Sequence, residues 1–360
     1  MAWLTANNSR VDLGDSFIGI WPELSSYTWQ YLLSIYTGGL QKNVNVNYAN
    51  PSNPIIGDSV VYTFTLNGKT YTTNFTGQGL NYDFLTNPNA NSGTVTGFTA
   101  YTNTNGNFSL GLTYGGFSIP LKTLHTLVSS SSASDHLLWI DTIFSGNDTF
   151  VGGNYNDIFL ATAGNDTIDG GAGINRVVYS DSNSPNGYKS TEFNITVNTN
   201  TIVVSDTVSN HFGTENLTNI QRLQFSDTTL AFDINGGAGQ AYRLYQAAFG
   251  RTPDSGGLGY WIAQIDSGTT LSSVSSSFIN SAEFQKLYGS STSNASFVNN
   301  LYQNVLHRAG DTGGITYWNN QLAIGESRAD VLVSFSESTE NKAGVIGSIQ
   351  NGIHYTEWTG

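Results

Sequence analysis

The sequence predicts a multidomain α+β protein with three parts. An N-terminal antiparallel β-rich domain covers residues 1–143, a short parallel β-roll covers residues 144–236, and an all-α domain covers residues 237–360. Three observations predict this layout: β-prone runs around Asn-Gly pairs in the first part, a nine-residue repeat in the second, and a tandem duplication in the third. Each pattern has its own hydrophobic period, so the secondary structure is expected to change twice along the chain.

The first part alternates β-prone and polar residues, which is the period of a half-buried strand. Asn67-Gly68 and Asn105-Gly106 each separate two such runs, and Asn-Gly is a strong hairpin signal. The predicted hairpin strands cover residues 62–66 with 69–75, and residues 95–101 with 108–114. Helices are predicted over residues 21–36, 119–127 and 135–143. Together these elements predict an α+β unit built on an antiparallel sheet.

Residues 145–178 repeat every nine residues. An aspartate or asparagine holds the same place in each unit, and a large apolar residue follows two places later. The first set is Asp148, Asp157, Asp166 and Asn175, and the second set is Phe150, Phe159, Ile168 and Val177. Glycines before the acidic position permit φ > 0 and close stacking, so each unit predicts a tight turn and then a short strand. The apolar residue is expected to fill the core of the roll.

The acidic position of each turn predicts a calcium site, because Ca2+ takes about six to eight oxygen ligands from carboxylates and carbonyls. Two units make one coil, so turns eighteen residues apart pair Asp148 with Asp166 and Asp157 with Asn175. The second pair is predicted to be weaker, because Asn175 is neutral and Tyr155 replaces a glycine. The predicted Ca2+ ligands are Gly146, Asp148, Gly153, Asp157, Gly164, Asp166, Gly171 and Asn175.

With its glycine, aspartate and apolar positions in phase, this segment resembles the RTX (repeats-in-toxin) family of bacterial secreted proteins. The resemblance implies an extracellular or cell-surface protein that leaves through type I secretion machinery, with residues 344–360 as the candidate signal. It also implies that residues 217–233 cap the roll, which gives Asp227 and Asp233 structural roles. Calcium binding would then supply folding free energy outside the cell.

The third part is a tandem duplication, because residues 244–261 match residues 301–318 at an offset of 57. Each copy carries an aspartate placed to cap a helix and an arginine placed to pair with it. These pairs are Asp254 with Arg251 and Asp311 with Arg308. Residues 238–345 resemble the helical domain of unknown function found C-terminal to RTX repeats and in surface-layer-like proteins. Its aromatic residues are expected to form a core.

Composition limits the partners. The net charge is −13 with only 13 Lys and Arg, which argues against nucleic acid because phosphate neutralisation needs clustered basic residues. No apolar run is long enough to span a membrane, and the absence of cysteine excludes disulfides and thiolate metal sites. The motifs H-E-x-x-H and G-x-S-x-G are absent, so neither a zinc protease of that type nor a typical lipase is expected.

Three functions stay open. The first is a secreted calcium-binding structural protein that self-assembles in a surface layer, filament, biofilm matrix or adhesion structure. Charged residues make up only 11% of the chain, and sparse charge gives little repulsion between copies. The second is an extracellular module that binds a glycan, such as cell-surface polysaccharide, or another partner. The third is an enzyme with an unrecognised N-terminal site.

Overall fold

The structure is a computed structural model that describes strands between residues 3 and 120 and most of residues 144–358. The described residues are 3–6, 46–47, 58–66, 69–78, 94–104, 107–120, 123, 138, 141, 142, and 144–358 without 182, 185, 186, 209–211 and 291. The chain divides into two compact units, Met1–Ser226 and Asp227–Gly360. The three-part division with boundaries after residues 143 and 236 stays a prediction.

The first six strands are the antiparallel part of the first unit. They are β1 (Trp3–Ala6), β2 (Val46–Asn47), β3 (Asp58–Leu66), β4 (Lys69–Gln78), β5 (Thr94–Thr104) and β6 (Asn107–Pro120). β3 pairs with β4 so that Leu66 lies opposite Lys69, and β5 pairs with β6 so that Thr104 lies opposite Asn107. Both hairpins predicted from the Asn-Gly pairs are confirmed.

The helices predicted in the N-terminal part have a different outcome. The helix predicted over residues 21–36 lies outside the described residues. The prediction of a helix that starts at Ile119 is wrong, because β6 continues through Pro120 and Ile119 lies opposite Val95. Ile119 is buried, and a buried β-branched side chain suits a strand. Most of the remaining predicted helical residues up to 143 also lie outside the described part of the chain.

The nine-residue units form four short strands. They are β7 (Thr149–Val151), β8 (Ile158–Leu160), β9 (Thr167–Asp169) and β10 (Arg176–Val178). β7 pairs in parallel with β9, and β8 pairs in parallel with β10, so strands eighteen residues apart lie side by side. The central apolar residue of every strand is buried. Phe150 contacts Phe159 with ring centroids 6.5 Å apart, so residues from both pairs of strands share one core.

Strands from outside the repeat extend both pairs. They are β11 (Phe193–Val197), β12 (Ile202–Asp206), β13 (Thr214–Thr218) and β14 (Arg222–Gln224), and a 3-10 helix, Ser190–Glu192, precedes them. β1 pairs in parallel with β7, while β13 pairs in parallel with β9. β14 pairs in parallel with β10. The residues after the repeats therefore continue both rows of strands, as predicted for a capping segment.

One sheet of eleven described strands runs through the first unit in the order β11-β12-β13-β9-β7-β1-β6-β5-β4-β3-β2. β1 joins its two halves, since it is antiparallel to β6 and parallel to β7. The N-terminal hairpins and the repeat strands thus belong to one hydrogen-bonded sheet.

Aromatic residues after the repeats form a cluster. In it the ring of Tyr179 stacks on that of Phe225 with centroids 4.7 Å apart and contacts that of Phe193 with centroids 4.6 Å apart.

The second unit contains an antiparallel strand pair and eight helices among its described residues. The elements are β15 (Thr229–Ala231), α1 (Gly237–Phe249), α2 (Ser255–Asp266), α3 (Leu271–Ile279), α4 (Ala282–Tyr288), α5 (Asn294–Asn304), α6 (Thr312–Ala323), α7 (Arg328–Ser336), α8 (Thr339–Ile349) and β16 (Ile353–Tyr355). Asp254 caps α2 by accepting a hydrogen bond from Gly257 N, and Asp311 caps α6 by accepting one from Gly314 N. Both predicted capping aspartates are confirmed.

The two copies of the duplication repeat one ion-pair arrangement. Arg251 lies 3.5 Å from Asp254 and 2.7 Å from a more distant carboxylate, that of Glu283. In the second copy Arg308 lies 2.6 Å from Glu340. The predicted local pairs therefore exist, with Arg308 lying 3.9 Å from Asp311. The shorter contacts, however, join each arginine to the third helix that follows it in the chain, α4 for Arg251 and α8 for Arg308. Each arginine also covers the ring of a buried tyrosine. These tyrosines, Tyr245 and Tyr302, belong to the helical core and Trp261 and Trp318 pack against it, as predicted.

Candidate calcium site

The structure brings the first predicted pair of acidic residues together. Asp148 and Asp166 are 3% and 0% exposed, and each immediately precedes a strand of the β7–β9 pair. Because these strands run in parallel register, the turns before them stack. Asp148 N donates a hydrogen bond to Asp166 Oδ1 at 2.8 Å. Two carboxylates thus lie on one side of successive coils in a buried position.

The second predicted pair also comes together, with different partners. Asp157 N donates to Asn175 Oδ1 at 2.9 Å, and both side chains are buried. Asn175 Nδ2 donates to the Asn219 carbonyl at 2.9 Å, while Asn175 N donates to Gln221 Oε1 at 2.7 Å. Neutral amides from the capping segment therefore hold Asn175, and only one carboxylate belongs to this pair. The prediction that this pair binds calcium more weakly than the first pair stays a prediction.

The glycines allow the turns to stack closely. Gly164 has φ +136°, and a Cβ added there would lie 2.0 Å from the Gly146 carbonyl oxygen. Gly171 has φ +71°, and its Cβ would lie 2.3 Å from the Gly153 carbonyl oxygen. Only glycine fits both conditions. The predicted ligand glycines therefore place a carbonyl of one turn against the backbone of the next turn on the same side.

Two of these carbonyls also hold the backbone. Gly153 O accepts a hydrogen bond from Ala172 N at 3.0 Å, and Gly164 O accepts one from Gly213 N at 2.9 Å. A carbonyl oxygen has two lone pairs, so one such bond leaves capacity for a cation. Carboxylates and carbonyls in stacked turns are the oxygen ligands that Ca2+ prefers. The donor set fits calcium, and the role of each predicted ligand stays a prediction.

The carboxyl group of Asp166 has a perturbed environment. Burial raises its pKa to about 6, hydrogen bonds from Asp148 N and Thr162 oppose this shift, and the charge of Asp148 adds to it. Thr162 Oγ1 donates to Asp166 Oδ2 at 2.8 Å. A buried carboxylate beside a second carboxylate is stabilised in its charged form by a cation. This electrostatic arrangement supports ion binding on the Asp148 and Asp166 side.

Asp148 and Asp166, on successive coils, form an acidic column. Glu215 is a third member of this column that the nine-residue pattern does not include. β13 pairs with β9 so that Asn216 lies opposite Thr167, which places Glu215 beside Asp166. Glu215 is 1% exposed, and its Oε2 accepts a hydrogen bond from the Tyr179 hydroxyl. Its Oε1 has no hydrogen-bond partner among the described residues. The signal was present, because Glu-Asn-Leu at residues 215–217 repeats the acidic-x-apolar order of the nine-residue units.

Two further observations concern the described residues alone. In that part of the chain, no group of three or more His, Cys, Asp or Glu side chains could hold a metal ion. Any ion in the repeats therefore depends on carbonyl oxygens as well as carboxylates. Within the same residues, no helix combines the length and the apolar character needed to cross a membrane.

Stacked glycine-rich turns with acidic side chains, placed before short parallel strands, define a calcium-binding repeat segment. Residues 142–177 match the family model of the RTX calcium-binding nonapeptide repeat, and residues 240–274 and 275–345 match the domain of unknown function DUF4214. The chain thus carries RTX nonapeptide repeats, which bind Ca2+, followed by a DUF4214 domain. Both resemblances predicted from the sequence are confirmed. No curated protein matches the chain.

Proposed function

We propose that this chain is a secreted calcium-binding structural protein whose copies assemble outside the cell. The assembly would be a surface layer, a filament, a biofilm matrix or an adhesion structure. Proteins with RTX repeats are typically secreted, and the match to these repeats supports an extracellular setting and type I secretion. The single observation that carries the proposal is the eleven-stranded sheet, which joins the repeat strands to the N-terminal hairpins.

Calcium acts on this sheet through the repeats, which we interpret as a short β-roll. An ion between the turns of Asp148 and Asp166 relieves the repulsion of two buried carboxylates and fixes β7 beside β9. β7 is hydrogen-bonded to β1, and β1 is hydrogen-bonded to β6. Ion binding in the roll therefore also stabilises the antiparallel strands that follow β1 in the sheet.

The edges of the sheet supply the surface for contacts between copies. β11 is the last described strand at one edge, and Asn194 and Thr196 on it are exposed. An edge strand presents unpaired N–H and C=O groups that can add a strand from a neighbour. Pairing one edge with a different edge of the next copy does not close on itself and gives a polymer. Sparse surface charge leaves such contacts little opposed.

Electron microscopy and light scattering in calcium and in EDTA test this proposal. We expect polymers only in calcium, and fewer of them for the double variant Asn194→Lys and Thr196→Lys, because lysine blocks edge pairing. The double variant Thr199→Lys and Asn200→Lys adds the same charge at exposed residues beyond β11 and serves as the matched control. Protein lacking residues 1–118 should also fail to polymerise. A full chain that stays monomeric in calcium at high concentration would contradict the proposal and favour the glycan-binding or partner-binding module.

A further inference from the structure

The helical unit contains a pocket of about 90 Å³ among its described residues. It lies between α1, the end of α5 and the first turns of α8. The residues used below are Gln246, Asn304, His307, Glu340, Asn341 and Val345. A cavity needs only about 10–15 Å³ of this kind of volume to hold one water molecule, so the pocket has room for a small polar group and a short aliphatic chain.

The two copies of the duplication differ at this pocket. At the offset of 57, Asn304 replaces Ala247, and Asn341 replaces Phe284. Phe284 is buried and stacks on Tyr288 with ring centroids 4.2 Å apart, so the first copy fills its space with an aromatic ring. Asn341 is nearly as buried, at 7% exposure. The second copy has therefore exchanged apolar contacts for amide groups beside an open space.

Among the residues that line the pocket, Gln246, Asn341 and Glu340 have side-chain oxygens with capacity to accept hydrogen bonds. Gln246 Oε1 is buried and has no hydrogen-bond partner among the described residues. Asn341 Nδ2 donates to the Ser336 carbonyl at 2.7 Å, which leaves its Oδ1 as the available atom. Glu340 accepts from Arg308 at 2.6 and 2.9 Å, and each carboxylate oxygen can accept further bonds. A buried acceptor without a donor is costly, so a ligand with N–H or O–H groups would stabilise this arrangement.

His307 gives an independent indication of function. Its backbone has φ +54°, in the left-handed region that disfavours residues with a Cβ. The equivalent residue of the first copy, Gly250, adopts φ +62° without that cost. Non-glycine residues in this region cluster at ligand sites, where the surrounding structure maintains them. His307 lines the pocket, so the strained residue and the unsatisfied acceptor meet at one place.

We propose that this pocket binds a primary ammonium group carried on a short aliphatic chain. An ammonium group has three donors and no acceptor, which matches the acceptors of Gln246, Asn341 and Glu340. Ala247, Val305 and Val345 supply an apolar wall for the methylene groups. With one carboxylate in its lining, the pocket lacks the clustered acidic ligands of a divalent metal site. The net charge of −13 attracts cations over a longer range.

The test uses amide chemical shifts of the isotope-labelled full chain in calcium. Butylammonium should shift the signals of residues 304–307 and 340–345, whereas butanol, which has the same aliphatic chain without the charge, should not. Gln246→Leu should weaken butylammonium binding by about tenfold or more, because a charged donor loses its acceptor. Gln303→Leu is the matched control, since Gln303 is the exposed equivalent of Gln246 in the second copy.

A lysine analogue with blocked backbone ends identifies the source of the ammonium group. Binding as tight as that of butylammonium indicates a lysine side chain of a partner protein, whereas binding of butylammonium alone indicates a free amine. Both results support the proposal. Equal shifts with butanol, undiminished binding to the Gln246→Leu variant, or no shifts with any ammonium compound would overturn it. Circular dichroism of each variant checks that its helices are retained.

Discussion

The buried carboxyl group of Glu215 should make the stability of the protein depend on pH in an unusual way. Burial raises its pKa from an ordinary value of 4.5 to about 8, the hydroxyl of Tyr179 opposes the shift, and the charges of Asp166 and Asp206 add to it. Between pH 4.5 and about 8, Glu215 is therefore protonated in the folded protein and ionised in the unfolded chain. This contribution to the free energy of unfolding is complete below pH 4.5 and is lost as the pH rises through about 8.

The magnitude follows from the size of the shift. Each unit of pKa corresponds to about 1.4 kcal/mol, so a rise from 4.5 to about 8 amounts to roughly 5 kcal/mol between the two ends of this range. Glu215→Gln retains the size of the side chain and an oxygen that accepts from Tyr179, but it does not titrate. We expect the variant to lose most of this slope and to be more stable than the wild type near pH 8.

Urea unfolding in EDTA, repeated from about pH 5 to pH 8, measures the difference between the two proteins, because a cation bound beside Asp166 would itself favour the ionised form of Glu215. Tyr179→Phe is the companion variant, because it removes the hydroxyl that bonds Glu215 but leaves the titrating group in place. It should lower stability by about 1–3 kcal/mol and keep the slope with pH. Parallel profiles for the wild type and Glu215→Gln would refute the reasoning, since the slope would then belong to other groups.

Three further outcomes are expected. Asp166→Ala should weaken calcium binding more than Asp157→Ala, because Asp166 lies beside a second carboxylate and Asp157 lies beside a neutral amide. Calorimetric titrations measure this difference, and equal losses of affinity would show that the two turns contribute alike. Gly164→Ala should lower the free energy of unfolding by about 3 kcal/mol or more, because the added Cβ would overlap the Gly146 carbonyl. Gly146→Ala, with no atom within 4 Å of the added Cβ, should change it by less than about 0.5 kcal/mol. Similar effects of the two variants in thermal unfolding would contradict the stacking of the turns. Residues 227–360 alone, the whole second unit with its β15–β16 pair, should give a helical circular dichroism spectrum that EDTA leaves unchanged, and melting in EDTA would place metal in this part.

The features predictable from the sequence are those with a local signal. Asn67-Gly68 fixes a hairpin because turn and strands are contiguous, and the nine-residue period pairs Asp148 with Asp166 because the coil length is set within the repeat. Asp254 was predictable as a cap because its partner, Gly257, lies three residues away. In each case neighbouring residues determine the contact, so no knowledge of distant parts of the chain is needed.

The features that the sequence did not reveal depend on distant register. Glu215 reaches the acidic column because β13 pairs with β9, and the spacing of the intervening residues does not indicate that pairing. The main partner of Arg251 is Glu283, on a helix 32 residues away, whereas the sequence suggested only the adjacent aspartate. The helix predicted to start at Ile119 is wrong for a related reason. The local composition is compatible with a helix, but Ile119 pairs with Val95 on a distant strand.

β1 has a consequence for the order in which the first unit folds. Leu4 pairs with Tyr114 on one side and Phe150 on the other, so a strand of four residues closes two very long loops. Contacts of such high sequence separation form slowly, because loop-closure entropy is lost before the contacts compensate for it. Until β1 docks, β6 and β7 both present open edges. The first residues of the chain therefore set the register that joins the hairpins to the repeat strands.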